Sequence, residues 1–189
     1  MGMYASLFLL SDANQRRVLE EPLLFEQLLG TEQESPKQSF WSRLFGELTR
    51  APARLQFQEH EGGRFELDKA WHALHFLLTG SATGGEPPLS LLVSARGGTE
   101  LQGAGDDYGP PRLFSSDVAR RAHEALQALA DDALLARFDP AAMMAAEIYP
   151  EVWDRPGEGP EWLLESLHNL REALRKAAEH RLGVAVCLG

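Results

Sequence analysis

The sequence predicts an α+β fold in a single domain, a small mixed or antiparallel sheet that includes both chain termini and is packed with several helices. Three observations carry this. Short, largely apolar runs stand at the two ends, Met3 to Leu10 and Val184 to Leu188, and such runs suit strands covered on both faces. Between them lie segments with helical periodicity, the longest from Glu161 to Leu182. One segment, Leu67 to Gly80, is apolar around most of a helical circumference, as expected of a buried central helix.

In chain order, Met3 to Leu10 predicts an interior strand. Ser11-Asp12 then caps a helix over roughly 12–20, and Pro22 opens a short helix that Gly30 stops. Thr31 to Gln38 reads as loop. Ser39 to Thr49 spaces Phe40, Trp41, Leu44, Phe45 and Leu48 as a small amphipathic helix, and Gln58 to Gly63 is a polar turn. After the central helix, 81–88 is a Gly- and Pro-containing loop, while Leu89 to Ala95 is too short for periodicity to separate strand from helix.

The glycines at 97, 98, 103 and 105 mark a loop without the lysine and following hydroxyl of a phosphate-binding loop. Leu113-Phe114 suggests a brief strand. Ser115-Ser116-Asp117 caps a helix to about Leu129, a segment from Asp131 reaches Phe138, and Asp139-Pro140 starts another that Tyr149-Pro150 ends. In the helix from Glu161 to Leu182, Leu163, Leu167, Leu170, Leu174 and Ala177 form the apolar stripe. A terminal strand as apolar as 184–188 is expected to insert between others.

Composition bounds the function. The chain has 189 residues, 44% hydrophobic and 24% charged, which suits one soluble domain with one sizeable core. A net charge of −10 argues against nucleic acid as the partner, which requires clustered Lys and Arg, and fits a basic protein partner. The single cysteine, Cys187, excludes an internal disulfide framework and a multi-cysteine zinc site, and its apolar context predicts a buried hydrophobe. There is no basic leader before an apolar core and no run near the ~20 residues of a membrane span, so a cytoplasmic protein is expected. No cofactor is called for.

The central helix carries the one candidate site. At about 100° per residue, Asp68, His72, His75 and Thr79 fall within an arc of roughly 60°. On one reading this seam lines a cleft: Asp68 bonds His72 four residues on and fixes its tautomer, and a histidine serves as general acid–base. A carboxylate with two histidines could also ligate a transition metal, although no metal quartet is present and none is assigned. On the other reading the histidines are structural, bonded to backbone or to the acid beside a packed Trp71.

Four segments resemble the YfbM-like family, small bacterial proteins of unknown function. They are Met1-Gly2-Met3-Tyr4, Leu67-Asp68-Lys69-Ala70-Trp71-His72 with His75 and Leu78-Thr79-Gly80, Tyr108-Gly109-Pro110 with Arg112, and Phe138-Asp139-Pro140 with Met143, Ile148-Tyr149-Pro150 and Trp153. Residues 31–63 carry no such motif and read as a variable, insertion-like region. Pro111 departs from the pattern, where a small residue is expected. The resemblance implies an α+β domain and no activity.

The motif residues nominate His72, His75 and Asp68 as candidate catalytic groups. Trp71, Tyr108, Arg112, Asp139, Tyr149 and Trp153 are candidate ligand-binding groups. A small-molecule cleft would use a histidine as acid–base, Asp68 or Asp139 as the orienting carboxylate and Arg112 for an anionic substrate group. The alternative is a non-catalytic interaction module, for example a toxin-neutralising or regulatory protein, docking a basic partner through aromatics such as Trp41 and Trp153.

Overall fold

The computed structural model describes residues 2–30, 54–92, 98–105, 108–155 and 159–189. The expected helix at 39–49, with Trp41, lies outside them. The two apolar terminal runs become β1 (Ala5–Leu10) and β5 (Gly183–Leu188), antiparallel neighbours in register from Ala5↔Leu188 to Leu10↔Gly183. With β2 (Arg64–Glu66), β3 (Thr99–Glu100) and β4 (Arg112–Phe114) they form an antiparallel sheet in the order β2-β1-β5-β4-β3. The terminal strand does insert between others, and the α+β class holds.

Strand alternation then decides the layers. Ala5, Leu7, Leu9, Phe114, Val184 and Val186 point to one face, and Phe8, Leu10, Leu113, Ala185 and Cys187 to the other. Both faces are covered, so β1 is buried along its whole length instead of alternating between buried and exposed. The smaller layer is α1 (Asp12–Glu20), a 3₁₀ turn (Pro22–Phe25) and α2 (Glu26–Leu29), stopped by Gly30 at φ 70°. Its Val18, Leu24 and Phe25 pack with Leu55 and Leu101, and Cys187 is buried among them.

The larger layer holds α3 (Trp71–Thr79), α4 (Ser116–Gln127), α5 (Asp131–Leu135), α6 (Pro140–Ala145) and α7 (Pro160–His180). The stripe predicted on α7 is the buried one: Leu163, Leu167, Leu170, Leu174 and Ala177 are all in the core. Gly80 ends α3 in the left-handed conformation at φ 73°, its N–H bonded to the Phe76 carbonyl.

Several local expectations are corrected. The helix read as starting at Leu67 begins as a 3₁₀ turn over Asp68–Ala70, with Asp68 itself at φ 48°. Ser115 occupies the N-cap of α4 without a side-chain cap bond; instead Asp12 reaches across from α1 and accepts from the Ser116 N–H (3.0 Å) and hydroxyl (2.8 Å). Residues 89–92 are turn, neither strand nor helix. β2 and β3 were not anticipated.

The turn at 58–63 is pinned by Glu61, which accepts from the Ser11 N–H (2.5 Å), the Gln58 N–H (2.6 Å) and the Asn14 amide (3.0 Å). Burial pushes this carboxyl up, but these donors outweigh it and leave its pKa below the usual carboxylate range.

Candidate functional site

α3 lies across the helical face of the sheet with Trp71, Ala73, Leu74, His75, Leu77 and Leu78 buried. Its polar seam is real, but its partners are not those its spacing suggested. Asp68 does not bond His72. Its Oδ2 accepts from Trp162 Nε1 at the start of α7, 3.1 Å away. The left-handed backbone at Asp68 takes it off the helical wheel on which the two groups were neighbours.

His72 has other partners on both ring nitrogens. Nδ1 accepts from the Tyr149 backbone N–H (3.0 Å), and Nε2 stands 2.8 Å from the Ala82 carbonyl. A backbone N–H can only donate and a carbonyl only accept, so the ring is the neutral Nε2–H tautomer. Burial pulls the pKa of His72 below the usual histidine value, opposed by the Ala82 carbonyl. Thr79 donates to the His75 carbonyl (2.8 Å) and accepts from the Ser81 N–H (3.2 Å).

His75 is different. It is fully buried, and among the described residues neither ring nitrogen has a partner of hydrogen-bonding geometry; the Ser90 hydroxyl is in the same position. Burial lowers its pKa, the nearby Gly84 backbone works the other way, and His72 lowers it further. His75 is therefore a neutral ring within the apolar layer.

The remaining candidates fall into two groups. Trp71, His72 and Tyr149 converge on the start of β1. The Met3 N–H donates to the Tyr149 hydroxyl (2.7 Å), and Trp71 Nε1 donates to the Met3 carbonyl (3.3 Å). The Trp71 ring stacks with both His72 and Tyr149, with centroids 5.1 and 6.0 Å away. A Cβ at Gly2 would sit 2.4 Å from Lys69 Cε and 3.0 Å from the Tyr149 hydroxyl, so the end of the Lys69 side chain would have to move to admit one. The Lys69 ammonium in turn lies 5.2 Å from the centre of the Tyr4 ring. This is a clasp in which side chains grip both polar groups of one backbone residue.

The second group borders a cavity of about 170 Å³ at the β4–β5 edge of the helical layer, lined by Leu92, Tyr108, Gly109, Pro110, Arg112, Val186 and Leu188. Arg112 reaches it from β4 and forms an ion pair with Glu100 of β3. Tyr108 is substantially exposed at its rim.

Asp139 and Trp153 join neither group. Asp139 caps α6, accepting from the Ala142 N–H at 3.1 Å with Pro140 at the first helical position. It is a helix start, not an orienting carboxylate. Trp153 is 1% exposed, donates to the Ile148 carbonyl (2.7 Å), meets Phe138 edge-on and stacks on Trp162, so it does not anchor a surface contact.

Among the described residues, no three His, Cys, Asp or Glu side chains are placed to share a metal ion, and no helix is long and apolar enough to cross a membrane. Sequence reasoning missed Met3, Ala82 and Ser90, whose roles are backbone contacts or come from distant packing. It also missed Leu92, Val186 and Leu188, which read simply as core.

The family model described as a domain of unknown function, DUF1877, matches residues 1–187. No curated protein matches the chain. Among solved structures, that of a protein of unknown function, YfbM from Escherichia coli, is similar over 98% of this chain and 99% of its own, with a TM-score of 0.63 and 18% identity. At that identity the likeness speaks for the fold. The chain belongs to the DUF1877 family, and the resemblance drawn from its four segments stands.

Proposed function

We propose that this DUF1877 protein binds a small, largely apolar molecule in the cavity beside Tyr108 and Arg112. The carrying observation is that Tyr108-Gly109-Pro110 and Arg112, the third of the family-like segments, wall a cavity whose other side is the aliphatic trio Leu92, Val186 and Leu188. Apolar walls with a few polar groups are the usual composition of ligand sites.

The reading is one of binding, not turnover. Among the described residues, the cavity wall contains no imidazole, thiol or carboxylate. His72, nominated as acid–base, holds two backbone partners.

Size and charge restrict the ligand. An apolar cavity of about 150 Å³ accepts benzene, so this one suits a single ring with one or two substituents. Glu100 balances the charge of Arg112, which favours a neutral ligand with a hydrogen-bonding edge over a strongly anionic one. About seven non-hydrogen atoms at roughly half the best ligand efficiency give about 5 kcal/mol, a Kd on the order of 0.1–1 mM.

NMR screening of the full chain against single-ring fragments tests this. Neutral rings with a polar substituent are expected to shift Leu92, Tyr108, Val186 and Leu188 together, and R112Q is expected to weaken them about tenfold. Shifts scattered elsewhere, or none, remove the reading.

We further read the chain as a bacterial cytoplasmic protein of one domain, with 31–63 as its variable region. The Escherichia coli origin of its structural relative and a lone buried Cys187 support this. The alternative, docking of a basic partner, keeps the support of the net charge of −10 but loses Trp153 as an anchor, and Trp41 lies outside the described residues.

A further inference from the structure

We propose that His72 is a proton-operated clasp: adding a proton to its Nδ1 releases the Tyr149 turn and, through the Tyr149 hydroxyl, the Met3 segment that leads into β1. The geometry leaves the ring one way to gain charge. Nε2 carries the hydrogen given to Ala82, and Nδ1 is the acceptor for the Tyr149 N–H. A proton from solvent on Nδ1 turns that acceptor into a donor facing a donor. The Tyr149 bond then breaks, while the bond to Ala82 survives and strengthens.

The turn that would move is held under tension. Glu147 (φ 52°) and Glu151 (φ 59°) flank Tyr149 in the left-handed region that side chains disfavour. Tyr149 is the hinge of the effect because its backbone N–H meets His72 and its hydroxyl meets the Met3 N–H. The Met3 carbonyl remains on Trp71, so release is local, confined to 2–4 and 147–151.

Among the described residues, no charged group is hydrogen-bonded to the His72 ring. On its own helix His72 faces His75, which opposes a second charge. From the preceding turn come Lys69, directed to Tyr4, and Asp68, directed to Trp162. Arg137, following α5, bonds the Leu77 carbonyl (3.0 Å). The carboxylates on the two packed loops, Glu86, Glu147 and Glu151, are exposed. The Tyr4 and Tyr149 phenols complete the set.

The experiment is amide exchange of the intact protein, read as protection factors from pH 8 to 5, alongside the ring ¹⁵N shifts of His72. The expected result is an Nε2–H tautomer at pH 8, then loss of at least tenfold protection at Met3 and Tyr149 in step with His72 titration, while α7 amides keep theirs. H72N retains an acceptor where Nδ1 stood and cannot be protonated, so its protection should be flat with pH.

An Nδ1–H tautomer or imidazolium at pH 8 overturns the proposal. So does a pH response that persists in H72N, which would assign it to His75, or one that reaches α7 at the same pH. Should H72N fail to fold, the wild-type titration decides alone: Met3 protection must fall with the His72 ring signal and not apart from it.

Discussion

The clasp and the cavity are built from the same kinds of side chain, and they differ in what surrounds those side chains. Trp71, His72 and Tyr149 direct their polar atoms to Met3, Ala82 and each other. Tyr108 and Arg112 border open volume, Arg112 while ion-paired to Glu100. A histidine or tyrosine in a family-like motif is thus no guide to chemistry until its donors and acceptors have been traced. The motif at 67–80 with Ile148-Tyr149-Pro150 positions the N-terminal segment; the motif at 108–112 leaves space.

Substitution should separate the two regions by size of effect. W71A deletes a buried indole of the clasp and is expected to cost about 3–5 kcal/mol in urea unfolding; a loss under ~1 kcal/mol would mean the clasp bears little of the fold.

Acid comes next. His72 and His75 both have pKa values depressed in the folded state, chiefly by burial. The unfolded chain binds their protons more readily, so their stabilisation is full above the unfolded value of about 6.5 and is lost as pH falls through the folded values. Unfolding free energy should decline below about pH 6.5 with a slope of up to about 1.4 kcal/mol per pH unit for each histidine. A stability profile flat between pH 7 and 5 contradicts this.

Smaller again, Y149F strands the Met3 N–H and should cost about 1–3 kcal/mol, with exchange at Met3 raised while β5 stays protected. At the cavity, Y108A should change stability by no more than about 0.5 kcal/mol yet abolish the fragment shifts at Leu92 and Val186. If Y108A destabilised the protein as much as Y149F, the contrast between the two regions would disappear.

Legibility in the sequence followed the range of the determining interactions. The two central strands and α7 were readable because short, largely apolar runs and a leucine stripe are local patterns. β2 and β3, three and two residues long, are too short to show alternation. Asp68 and His72 were the right residues in the wrong pairing: their real partners, Trp162 and Tyr149, lie 94 and 77 positions away, and no helical wheel contains them. Tyr108 and Arg112 were nominated for a site and do border a cavity. Its aliphatic wall stayed hidden, because Val186 and Leu188 look identical whether a strand face is filled or left open.

The sheet's centre also sets a schedule. Ser6 and Cys187 are register partners about 180 residues apart, and β5 is what joins β1 to β4. At 5–20 residues per second, β1 waits about 10–40 s on the ribosome before its main neighbour exists. During that time six consecutive apolar-rich residues have one edge and two faces without their final cover. Helices such as α4 can form early, but the layer they pack upon cannot. This topology ties completion of the sheet to the synthesis of β5.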